Sequence, residues 1–168
     1  MANDFYNEIA KLKTIKRKGW VDRKVKGRVE SDMEHTGALV LQSLVHMAHN
    51  DLGLDQLKVL KMLAYHELCE IDAGDTTPYD GVSKLDKFLK EYACIKRIAE
   101  QYDMPEIEEI WLEFEDGMTD ESKYAKKLDK YDAVKQAKIY SDKQNRPEIH
   151  EEFRGNAQRI CEEMDLLK

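Results

Sequence analysis

The chain predicts an all-α fold, a single compact bundle of about seven helices. Three observations carry this. Apolar residues recur three and four positions apart along most of the 168 residues. Only 8 glycines and 3 prolines are present, few for a sheet protein full of turns. Charged residues make up 36% of the chain beside 42% hydrophobic, which suits long helices with solvated faces. The length predicts one domain, residues 1–168, with a sizeable core.

Asn3 or Asp4 can cap a first helix running to about Lys16, with Phe5, Ile9 and Leu12 on one side. Gly19-Trp20 interrupts it. From Trp20 to Glu30, Val21, Val25 and Val29 stand among charges, and this stretch reads as a connector. Asp32 can cap a second helix to about Asn50, with Val40, Leu44 and Met47 on one face. His35, Thr36 and Gly37 fall in its first turns, and Gly53 marks the break. A third helix spans about Asp55 to Ala73 and carries Leu57, Leu60, Ala64 and Leu68. Gly74 is its natural C-terminal cap, and the turn Asp75-Thr76-Thr77-Pro78 follows. Ser83 with Asp86 resembles a capping box. It opens a fourth helix that turns Leu85, Phe88, Leu89, Tyr92 and Ile95 toward the core. Pro105 suits the first turn of a fifth helix, through about Glu115. Thr119 or Asp120 opens a sixth to about Tyr140. Pro147 opens a seventh, with Ile149, Phe153, Ile160, Met164 and Leu167 as its stripe.

A net charge of −7 argues against a protein that wraps a nucleic-acid polymer by neutralising its phosphates. A local basic spot exists in Lys11, Lys13, Lys16, Arg17, Lys18, Arg23, Lys24 and Lys26, enough for a small phosphorylated molecule. Cys69, Cys94 and Cys161 are scattered and form no CxxC pair. They read as reduced thiols of a soluble cytoplasmic protein, not as disulfides or a zinc knuckle. The N-terminal MANDFYNEIAKLK has no apolar signal core, and no apolar run approaches the ~20 residues that span a bilayer, so no membrane partner is expected.

The stretch YHELCEIDAGDTTPYD sets His66 against Glu67 and adds Glu70, Asp72 and Asp75. Neighbours on a helix point about 100° apart, yet both can reach a metal beyond the groove between them. Imidazole with carboxylate suits Mn, Fe, Co, Ni or Zn, whereas a surface ion pair is the plain alternative. Glu70 follows His66 by four residues and shares its rim. His35, in SDMEHTGAL, has small neighbours in Gly37 and Ala38 that leave space. It reads either as a ligand or as a partly exposed structural histidine. Asp129 stands between Ala125 and Ala133, a small-residue row that lets another helix approach and bury it. A buried aspartate needs a partner, which a metal or a lysine can supply. His46, His49 and His150 read as structural or surface residues. Trp20 stacks near a base or fills the core, and Trp111 reads as packing.

The order His35, His66-Glu67, Asp129 resembles the metal signature of the HD-domain phosphohydrolase superfamily. LKTIKRKGWVDRKVKGRVESDMEHTGALVLQSL, YHELCEIDAGDTTP and KYAKKLDKYDAVKQAKIY resemble, in order, three blocks of its 5′-deoxynucleotidase branch over roughly residues 9 to 142. The resemblance implies an HD-domain-like bundle with one divalent transition metal (Mn, Co, Fe, Ni or Zn) on His35, His66, Glu67 and Asp129. It implies Glu70 and Asp75 as catalytic residues. Substrate contacts fall on Lys18, Gly19, Arg23, Glu67, Asp75, Thr76, Thr77 and Pro78. The implied reaction removes phosphate from a (deoxy)nucleoside 5′-monophosphate, and a homodimer is expected. Another HD-type phosphohydrolase, acting on diesters or triphosphates, and a degenerate nucleotide-binding protein are the alternatives. Two departures stand out. Glutamate replaces the second member of the HD pair, moving its carboxylate by ~1.5 Å where ligand positions tolerate roughly 0.5 Å. Lys18 and Gly19 stand where the family pairs an arginine with a tryptophan.

Overall fold

The computed structural model describes residues 2–77 and 80–167, with side chains from Phe5 onward. The helices are α1 (Ala2–Leu12), α2 (Lys18–Asp22), α3 (Asp32–His49), α4 (Gln56–Tyr65), α5 (Glu70–Ala73), α6 (Lys84–Tyr102), α7 (Pro105–Asp116), α8 (Asp120–Gln144) and α9 (Pro147–Met164). A 3₁₀ turn, His66–Cys69, joins α4 to α5. Among the described residues there is no strand; a single antiparallel bridge pairs Lys16 with Ser31. The all-α expectation is met.

Local chemistry sets most helix ends. Ser31 accepts from the Glu34 amide while the Glu34 side chain reaches back to Ser31, a complete capping box that starts α3 one residue before the expected cap, Asp32. Asp55, Ser83 and Thr119 each accept an amide three residues on. Proline opens α7 and α9. Gly74 leaves α5 at φ 72°, a conformation glycine adopts freely.

Three expectations shift. The first helix ends at Leu12, short of Lys16, because Asp32 donates its amide to Ile15 and Arg17 donates to Glu30, drawing the chain into the bridge. That helix begins at Ala2, so Asn3 and Asp4 lie within it, and their side chains are outside those described. The first residues of the expected connector, Trp20 to Asp22, are helical as the end of α2. The third helix is broken by the 3₁₀ turn at His66.

The core forms around α8. Leu39, Val59, Met62, Leu63, Ala125 and Leu128 pack where α3, α4 and α8 meet, and the α9 stripe, with Ile149 and Met164 buried, caps the bundle. A second cluster joins Leu12, Ile95, Ile98, Ile107 and Trp111. Trp20, Val25, Val29, Ala137, Tyr140 and Ile149 form a third. Leu44, Leu57, Leu85 and Leu89, expected inside, are 44%, 62%, 65% and 52% exposed. Polar side chains, Ser43 and His46 on α3 and Glu91 on α6, take part of the inward faces instead. No helix is long and apolar enough to cross a membrane among the described residues.

Candidate active site

His66 and Glu67 lie on the tight turn between α4 and α5. The backbone departs from α geometry at the pair where the longer glutamate stands, and a short 3₁₀ stretch commonly marks such functional positions. His66 Nδ1 donates to the Leu63 carbonyl at 2.8 Å, which leaves Nε2 with its lone pair. That Nε2 is buried, has no hydrogen-bond partner among the described residues, and lies 3.3 Å from Glu67 Oε1.

His35 comes from the first turn of α3 and is fully buried. Its Nδ1 meets Asp132 Oδ2 at 2.8 Å, and its Nε2 lies 3.0 Å from Asp129 Oδ1 and 3.7 Å from Glu67 Oε1. Asp129 and Asp132 are three apart on α8, so one face of that helix serves both ring nitrogens.

These residues fit a metal ion. Donor atoms of His35, His66 and Glu67 all lie within 4.8 Å of one another, and Asp129 adjoins His35 Nε2. Ligands about 2.0–2.2 Å from one first-row cation stand at such separations. Each histidine has its outer nitrogen held by a carboxylate or a carbonyl, the usual support of a metal-binding imidazole. The donor set of imidazole and carboxylate is that of a transition metal.

Arg17, missed as a site residue by the sequence reading, reaches the same point. Its guanidinium bonds Glu67 Oε1 at 2.5 Å and lies 3.9 Å from Asp129 Oδ1. Burial alone would raise Glu67, but Arg17 and the two histidines hold it down at about 2. Asp129, only partly buried, is likewise held well below the ordinary range against that burial, by His35, His66 and Arg17. Burial opposes the imidazolium of His35, yet Asp129 and Asp132 lift it to about 10. At three other carboxyls burial prevails over the cations nearby. Burial, with Glu67, Asp75 and Glu91 nearby, pushes Glu70 up to about 10. Burial with Glu67 and Asp75 pushes Asp32 to about 8. Asp75 is raised by burial, opposed by Arg17 and the Lys18 amide.

Two cavities, about 410 and 420 Å³, adjoin this centre, and Arg17, Asp75, Thr76 and Asp129 line both. Gly19, Trp20, Arg23, Thr77 and Phe153 line the first. His66, Glu67, Glu70, Lys87 and Glu91 line the second. Their size suits small ligands. Glu70 is buried and its Oε2 has no hydrogen-bond partner among the described residues.

The basic segment divides its work. The Lys18 amide donates to Asp75 Oδ2 at 2.6 Å, while its ammonium turns to Asp22 and Asp80 at 2.8 and 2.5 Å. Arg23 pairs with Glu152 and covers the Phe153 ring at 4.6 Å. Trp20 is 2% exposed, stacked on Phe153 at 4.6 Å and bonded through Nε1 to Glu30 at 2.7 Å, so it packs. Thr77 folds back on Asp80 through its amide at 2.7 Å. Pro78 lies outside the described residues. Asp132 was not singled out and Asp32 was read only as a helix cap, although each lies three residues from an expected ligand on the same helix. Glu91, paired with Lys87 at 3.1 Å, gave no such signal.

The HD domain family matches residues 9–167. The 5′-deoxynucleotidase HDDC2 of Dictyostelium discoideum is 32% identical over 82% of this chain and 76% of its own length. The 5′-deoxynucleotidase YGK1 of Saccharomyces cerevisiae is 31% identical over 90% of this chain and 72% of its own. A conserved hypothetical protein from Pyrococcus furiosus has the same fold, with TM-score 0.79 at 26% identity, covering 95% of this chain and 89% of that one.

Proposed function

The chain belongs to the HD domain family, and from that premise we propose a metal-dependent phosphohydrolase that removes phosphate from (deoxy)nucleoside 5′-monophosphates. One observation carries the reading: two buried imidazoles, each with its inner Nε2 free of the backbone, face Glu67 and Asp129 at one point. His35, His66, Glu67 and Asp129 would hold the ion. A bound divalent cation supplies Lewis-acid polarisation of a phosphoryl oxygen and a water of lowered pKa.

The protein's own groups then divide the reaction. Glu70 accepts the proton of the attacking water through its buried Oε2, which has no hydrogen-bond partner among the described residues; a bound cation beside it would favour the carboxylate form that this role needs. Asp75 lines both cavities and binds a proton more readily than an ordinary aspartate, which suits protonation of the leaving 5′-oxygen. Arg17 offers a planar fork of donors to the phosphate amid carboxylates that would otherwise repel it. The nucleoside lies in the first cavity, against Gly19, Thr76 and Thr77, with Arg23 at its wall.

The whole chain acts as one unit in this reading, in the cytoplasm, where its three buried cysteines stay reduced. A homodimer would use α3, where Leu41, Leu44 and Val45 are exposed, since the α9 stripe is spent on the core. Sedimentation of the wild type and Leu41→Glu tests that; a monomeric wild type removes the dimer.

The function is tested by stripping metal with a chelator, reloading Mn²⁺, Co²⁺ or Zn²⁺, and measuring phosphate release. Deoxynucleoside and nucleoside monophosphates are the expected substrates, with triphosphates and cyclic diesters inert. No release with any ion refutes the enzyme reading, and release from triphosphates alone refutes the substrate class.

A further inference from the structure

Asp32 takes no part in the reaction above. It is fully buried, and neither carboxylate oxygen has a hydrogen-bond partner among the described residues. A buried carboxylate is costly unless a cation or a donor meets it. The Lys16–Ser31 bridge brings a cation near it, the Arg17 guanidinium. Asp32 donates its amide to Ile15 at 3.0 Å and Arg17 donates to Glu30 at 3.1 Å, so these pairs flank the bridge. Side chains alternate along such a pairing, and Arg17 and Asp32 leave on the same face as diagonal neighbours. That diagonal is about 7–8 Å between backbones, within reach of a long side chain.

Arg17 bonds Glu67 at 2.5 Å and lies 3.9 Å from Asp129. Both carboxylates belong to the metal-binding set, on which this inference rests. A divalent ion taking those oxygens leaves the guanidinium in need of another anion. Three carboxylates stand near it. Glu30 already accepts Trp20 Nε1 at 2.7 Å, and Asp75 accepts the Lys18 amide at 2.6 Å. Asp32 accepts from no group among the described residues. We propose that Asp32 is a positioning residue: it receives the Arg17 guanidinium when a divalent cation takes Glu67 and Asp129. Arg17 walls both cavities, so the same movement joins them while keeping its positive charge beside the phosphate.

A double-mutant cycle read by calorimetric binding of Zn²⁺, Co²⁺ and Mn²⁺ tests this. Asp32→Asn should weaken metal binding about tenfold in the wild-type background and less than about twofold in Arg17→Met, because the effect passes through the arginine. Equal weakening in both backgrounds means that Asp32 acts on the ion directly and overturns the proposal, as does an unchanged affinity. A wild type that binds none of the three ions refutes the metal reading itself, a result distinct from intact binding without coupling. Should Asp32→Asn not fold, the Arg17 Nε–H resonance of the wild type decides: it should move on adding Zn²⁺, and a signal that stays fixed with Zn²⁺ bound overturns the proposal.

Discussion

Asp32→Asn should also change how the stability of the metal-free protein depends on pH. The wild-type carboxyl is fully buried without a hydrogen-bond partner among the described residues, and burial with the charges of Glu67 and Asp75 raises it from 3.8 to about 8. Unfolding returns it to the ordinary value. Between those values the folded chain holds a proton that the unfolded chain has lost, so stability falls as pH rises. Its contribution is complete below about pH 4 and gone above about pH 8. One pKa unit corresponds to about 1.4 kcal/mol. Across two pH units inside that window, about pH 5 to 7, the wild type should therefore lose about 2–3 kcal/mol relative to the variant. Asparagine is uncharged throughout and cancels this slope while keeping the shape. Urea denaturation of chelator-treated proteins at several pH values measures the gap. Parallel profiles for the two proteins would refute the reasoning, since they require a carboxyl that titrates alike in both states.

Four other outcomes are expected. Glu70→Gln should bind metal normally and lose about 10²–10⁴-fold in kcat, as removal of a general base does; retained turnover takes Glu70 out of the chemical step. Glu67→Asp should keep metal and match or exceed wild-type turnover, whereas Glu67→Ala should lose the ion. Unchanged metal content in both, measured by elemental analysis, counts against Glu67 as a ligand. Leu128→Ala, at a fully buried position in the largest apolar cluster, should cost about 2–5 kcal/mol in chemical denaturation. Trp20→Ala should cost about 3–5 kcal/mol because Trp20 packs on Phe153 and Tyr140, and KM ratios among bases should stay level.

Much of the candidate site's geometry was legible because its residues follow local rules. His66-Glu67 and Glu70 are contiguous on one turn, and Asp129 announces itself by the alanines around it. Asp132 was equally readable in principle, since three residues after Asp129 it shares the same helix face and holds the other nitrogen of His35. Arg17 was not. Its place depends on a single bridge between Lys16 and Ser31, segments whose pairing no periodicity announces. Within a run of eight cations the sequence offers no reason to prefer Arg17 to Lys18 or Arg23; only the bridge turns it inward, while Lys18 turns out to Asp22 and Asp80.

The misread helix faces share a cause with the site itself. On α3 the buried positions are Asp32, His35, Leu39, Ser43, His46 and Met47, a helical stripe in which four of six side chains are polar or ionisable. Of the apolar stripe drawn through Val40, Leu44 and Met47, Met47 is buried and Val40 partly so, while Leu44 is left outside with Leu41 and Val45. On α6, Glu91 sits inward beside Cys94, Ile95 and Ile98, while Leu85 and Leu89 face solvent. Hydrophobic periodicity assumes that burial follows apolarity. Where a helix must carry ionisable groups to a buried centre, that assumption fails along the stripe which bears them, and local rules yield to function. Pattern and burial disagree at Leu57 on α4 as well, but the faces of α3 and α6 are those that bring His35 to the candidate metal cluster and Lys87 with Glu91 to the second cavity. On α9, whose residues supply no ligand, the expected stripe from Ile149 to Met164 packs inward as read.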